Sequence, residues 1–193
     1  TREFALRAAA RPPSRAEIVG TYLELGFTHI LPRGLDHILF VLGLFLFGRG
    51  VRPILRQASA FTVAHSITLG LALYGFVSLP SSVVEPLIAM SIVYVAFENL
   101  FASELRPWRV ALVFGFGLLH GLGFAGVLQE LALPRAEFLT GLVSFNLGVE
   151  AGQLTVIAAA SLLVAGWTRN PQRYRQVVVL PGSALIALIG AYW

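Results

Sequence analysis

Five side chains able to bind a cation or carry a proton stand where the chain is most apolar. They are Asp36, its only aspartate, and His29, His37, His65 and His120, its only histidines. An ionisable group in a bilayer interior costs about 3 kcal/mol on insertion scales, so such residues face a partner, a cavity or an ion. Neutral imidazole with carboxylate is a donor set for a divalent transition metal, whereas magnesium and calcium prefer all-oxygen shells. Glu98 and Glu150 add two acids within apolar segments, and both join Asp36 and the four histidines as candidate ligands. Ser66, Ser91, Asn99, Asn146 and Gln153 supply a polar lining around them. Asn146, Glu150 and Gln153 recur at i, i+4 and i+7, which draws one polar stripe along an otherwise apolar helix.

Each residue also has a plainer role. A single membrane histidine commonly donates a hydrogen bond between helices, and Asn or Gln in a stripe can do the same. The glycines around His120 read as close-packing surface. Glu85, before Pro86 in the first turn of its stretch, reads as an interfacial charge complementing the helix dipole. Adjacent helical residues point about 100° apart, so Asp36 is expected to orient a neighbour on another helix rather than share an ion with His37.

The elements that must position these residues follow from composition. The 193-residue chain is 56% hydrophobic and 12% charged, with mean hydropathy +0.77. A soluble domain of this length has too little interior for so much apolar surface, whereas a bilayer accepts apolar helices of about 20 residues. The fold class is therefore all-α, a polytopic membrane bundle of about six transmembrane helices. The first stretch is composite: 17–31, an interruption at Pro32-Arg33-Gly34, then 35–47, giving a helix broken near Pro32. The others run over 56–77, 82–101, 108–131, 138–167 and 177–193, with Pro80, Pro107, Pro134 and Pro171 falling between them. Residues 1–15 read as a linker or tail following a removed segment, and 16–193 as a single transmembrane domain.

Cysteine is absent, so a metal site must use nitrogen and oxygen. The pI of 10.1 is all arginine, and in such a chain it reports topology and lipid contact, not nucleic acid. Arginines gather between stretches one and two, three and four, and five and six, which puts those connections in the cytoplasm and both termini outside it.

Taken in order, GFTHILPRGLDHILFVLGL, FTVAHSITL, VEPLIAMSIVYVAFEN, FGFGLLHGLGFAGVL and SFNLGVEAGQL resemble the HupE/UreJ family of bacterial membrane proteins. The resemblance runs from Gly26 to Gln153 and implies a six-span inner-membrane protein associated with nickel or cobalt uptake. It carries His29, Asp36, His37, His65, Glu98, Asn99, His120, Asn146, Glu150 and Gln153 as the characteristic polar residues. It also implies an extracytoplasmic domain ahead of the first span in some relatives. The expected activity is that of a permease, its partners the lipid bilayer and the metal ion. Two rivals use the same residues. Three histidines holding zinc, with a glutamate as general base and Ser66 as proton relay, would make an intramembrane hydrolase. His65 and His120 as axial ligands would make a haem protein. Neither the metal, the energy coupling nor the oligomeric state is legible here.

Overall fold

The computed structural model describes residues 14–48, 50–102, 106–124 and 135–193, and every regular element among them is helical. Most of the 1–15 linker, Arg49 and the end of the fourth stretch with Gly126 lie outside the described residues. Helix α1 spans Arg15–Ile30 and starts on a capping box. The Ser14 hydroxyl accepts from the Glu17 amide at 3.3 Å, and the Glu17 carboxylate accepts from the Ser14 amide at 2.6 Å. The helix stops ahead of Pro32, as the residue before proline disfavours helical backbone. Helix α2, Leu35–Phe47, resumes at 68° to α1, so the expected break is present.

Helix α3 covers Val51–Leu73, following Gly50 at φ 111°, a left-handed backbone that glycine adopts without strain. Helices α4 (Ser81–Phe101) and α5 (Arg109–Gly123) follow. A short turn at Arg135–Glu137 leads to α6, Phe138–Val164, whose 27 residues extend about 40 Å, more than a hydrocarbon core. Asn170 then caps α7, Pro171–Tyr174, its side-chain oxygen accepting from the Gln172 and Arg173 amides. A π-helical turn over Arg175–Val179 joins α7 to α8, Leu180–Tyr192, and Pro171–Tyr192 forms one apolar span.

Among the described residues α4, α6 and the α7–α8 span are long and apolar enough to cross a membrane, and the bent α1–α2 pair makes a fourth as a broken span. The expected count of six spans is therefore not confirmed among the described residues. Helix α3 has the length but carries Arg52, Arg56, Gln57 and His65, and α5 has only 15 residues. Leu139, Leu162, Leu163 and Leu188 lie exposed on the outside, an apolar coat suited to lipid.

Glycine sets which helices touch. Against α6, Gly26 of α1 faces the Phe145 carbonyl, and Gly148 in return faces the Leu23 carbonyl. Between α3 and α5, Gly117 meets the Phe61 carbonyl, and Gly121 meets the His65 carbonyl and the Thr68 hydroxyl. A Cβ at any of these four would collide, so the backbones approach as closely as small residues permit. Helix α2 lies against α4 and α6, and α8 packs along α4.

Candidate metal centre

His29 lies in the last turn of α1, and Asp36 and His37 in the first turn of α2. The helix does not survive the interruption between them, yet the bend folds the two histidine rings to a centroid separation of 4.6 Å. The α3–α5 pair delivers the other two imidazoles: His65 at 5.8 Å from His37, and His120 at 5.0 Å. Two donor groups result, His29–His37–His65 and Asp36–His37–His120, the ligand atoms of each lying within 4.8 Å of one another. His37 belongs to both. Residues from four separate helices thus converge around His37, and three of the four rings are nearly inaccessible: His37 2%, His65 0% and His120 1% exposed.

Hydrogen bonding fixes which nitrogen is free on His37, His65 and His120. Asp36 accepts from His37 Nδ1 at 3.1 Å, so Nδ1 carries the proton and Nε2 a lone pair. Contrary to the expectation from helical geometry, Asp36 thus acts on its own neighbour, since both stand at the start of α2 where no preceding helical turn separates them. The Asn146 amide donates to the Leu142 carbonyl at 2.8 Å and so presents its oxygen to His65 Nδ1 at 3.3 Å, leaving His65 Nε2 unprotonated. Ser91 donates its one proton to the Ile88 carbonyl at 2.7 Å and therefore accepts from His120 Nε2 at 3.0 Å, leaving His120 Nδ1 unprotonated. His37 Nε2, His65 Nε2 and His120 Nδ1, with His29 Nε2, are buried and without a hydrogen-bond partner in the structure. A buried acceptor left unmatched costs about 1–3 kcal/mol, so the bare nitrogens of His37, His65 and His120 call for a partner such as a cation.

Phenylalanines wall the cluster. Phe124 packs tilted against His29 at a centroid distance of 4.0 Å, Phe145 packs on His29 and His65, and Phe40 packs on His120. Phe61 packs against His37, His65 and His120.

The remaining sequence-selected residues are placed elsewhere. Neither Glu98 nor Glu150 belongs to the two donor groups found among the described residues. Glu98 is ion-paired at 2.8 Å with Arg109, without hydrogen-bond alignment. Arg109 is 1% exposed, donates to Gln57 at 2.9 Å, and lies 4.6 Å over the Phe47 ring. Asn99 completes that network by accepting from Arg109 and donating to the Gly43 carbonyl and the Ser183 hydroxyl. Glu150 accepts from Ser59 at 2.8 Å. Gln153 meets Thr62, and Ser66 donates to the Thr62 carbonyl of its own helix, which removes it as a relay for His65. Sequence reasoning took Arg109 for a connection arginine and passed over Gln57. The usable signal was Glu98 itself, an acid in an apolar helix that needs a counter-charge close by in the fold.

Helices of membrane length around an internal imidazole–carboxylate cluster define a multi-pass membrane protein whose donor groups could hold a metal ion. The chain belongs to the HupE / UreJ family, whose family model matches residues 6–193, essentially all of it. No curated protein and no solved structure matches the chain.

Proposed function

We propose that this chain is a transition-metal permease of the bacterial inner membrane, with nickel as the cargo it favours and cobalt as the alternative. The observation that carries the reading is the set of three buried imidazoles, each held by a separate partner in a tautomer that leaves its other nitrogen bare and without a hydrogen-bond partner. The association of the family with nickel and cobalt transport supports the choice of metal. Two overlapping donor groups also suit transport better than storage. An ion exchanges partners around His37, from Asp36 and His120 to His29 and His65, without ever meeting all five donors at once. Intermediate affinity of that kind lets a cation leave as well as enter.

The arginine bias of the connections supports a cytoplasmic location for the ends of α2, α4 and α6, and with it entry of the cation from the opposite side. The hydrolase alternative is less well served, since Glu98 and Glu150, its general bases, are engaged by Arg109 and Ser59. Nickel accumulation by cells expressing the parent or His37→Ala provides the test. The parent accumulates nickel and the variant stays at background; equal accumulation would falsify the assignment of His37 to the path.

A further inference from the structure

A cavity of about 410 Å³ opens beside the histidine cluster, with Asp36, Ser82, Glu85, Ile88 and Trp193 in its lining. Two of these connect it to the buried donors. Asp36 is the carboxylate of the Asp36–His37–His120 group, so that group reaches the cavity through it. Ile88 offers the carbonyl that orients Ser91, and Ser91 in turn holds His120. Within 4.8 Å of each other's ligand atoms in that same group stand His37 and His120, more than nine-tenths buried, with His37 Nε2 and His120 Nδ1 lacking a hydrogen-bond partner.

Glu85 brings a second carboxylate to the same space. Its expected role as a dipole complement does not fit its position. It is the fifth residue of α4, and the first turn of that helix contains no acid. The dipole effect fades beyond the first turn. Glu85 also makes no hydrogen bond or ion pair among the described residues. Size separates the cavity from the cluster behind it. Six waters at about 30 Å³ each take about 180 Å³, which the cavity holds with space to spare. The inner donors, within 4.8 Å of one another, suit an ion that has shed its water.

We infer that Asp36 and Glu85 form an outer site that captures the divalent cation with its hydration shell, before the imidazoles replace the water. The inference deepens the permease reading and rests on it for direction. Glu85 concentrates the ion, and Asp36, shared by both sites, passes it inward.

Nickel uptake into cells, measured against nickel concentration for the parent, Glu85→Gln and Glu85→Asp, reads this role. Glu85→Gln raises the half-saturation concentration about tenfold, as one carboxylate acting across a hydration shell on a doubly charged ion does. Its maximal rate stays near the parent's, and Glu85→Asp restores most of the loss. An unchanged half-saturation, or a fall in maximal rate alone, overturns the outer site. Calorimetry on purified His37→Ala supplies a second reading independent of transport. A weak nickel site persists there and disappears when Glu85→Gln is added; no weak site, or one indifferent to Glu85→Gln, also overturns the proposal. Absence of nickel uptake by the parent, with the weak site intact, sinks the permease reading and leaves the outer site standing.

Discussion

A serine hydroxyl decides which nitrogen of His120 carries the proton. Because Ser91 gives its proton to the Ile88 carbonyl, it can only accept from His120, and the opposite nitrogen is left bare. Ser91→Ala removes that constraint while leaving every imidazole in place. Partners of this kind commonly contribute 10–100-fold to metal affinity, so nickel affinity by calorimetry falls by about that factor. Affinity equal to the parent's contradicts the tautomer assignment. Ser91 and Asn146 stand out in the sequence as polar residues on apolar helices, and the histidines and Asp36 for the same reason. Arg109 does not, because an arginine beside Pro107 and Trp108 looks like any cytoplasmic flank until Glu98 is seen opposite it. Glu98 and Glu150 share the chemistry of the ligands, and sequence has no means of telling an acid that faces an ion from one that faces arginine or serine.

The helices bring the imidazoles together through two devices, a bend and a pair of glycine seams. The bend was half legible. Pro32-Arg33-Gly34 marks a break, but the 68° angle comes from packing of α1 and α2 against α6, which no local pattern encodes. It is the bend at this expected break that brings His29 and His37 to a ring separation of 4.6 Å. The seams are open to a controlled comparison. A Cβ at Gly121 collides with the His65 carbonyl and the Thr68 hydroxyl, whereas at Gly115 of the same helix it meets nothing within 4 Å. Gly121→Ala therefore parts α5 from α3, costs about 1–3 kcal/mol and carries His120 away from the cluster. Gly115→Ala does neither. Thermal unfolding in detergent together with nickel binding separates the two variants; similar behaviour would show that the seam does not position the site.

For the molecule as a whole, the charge budget has two centres, the histidine cluster and the Glu98–Arg109 network. Breaking the second by Glu98→Gln leaves a buried guanidinium without its counter-charge, a loss of about 3–5 kcal/mol. Adding Arg109→Leu recovers much of that stability, which chemical unfolding of both variants checks; a double variant no better than the single one contradicts the pairing. Composition disclosed the all-helical membrane class directly, because no soluble core accommodates 56% hydrophobic residues in a chain this short. The helix partnerships stayed hidden, since every apolar face is compatible with every other until small residues choose between them. Orientation is testable because the parent has no cysteine. Ser78→Cys, in the connection without arginine, reacts with an impermeant thiol reagent in intact cells, and Asn170→Cys only after lysis; the reverse pattern inverts the direction of transport.

The account depends most on imidazole reaching a metal inside the bundle. X-ray absorption at the nickel edge of the purified, nickel-loaded protein observes that bond directly. A shell of nitrogen and oxygen with outer-shell scattering from at least two imidazole rings is predicted, diminished in His37→Ala. Nickel retained with an all-oxygen shell, or not retained by the parent at all, contradicts it.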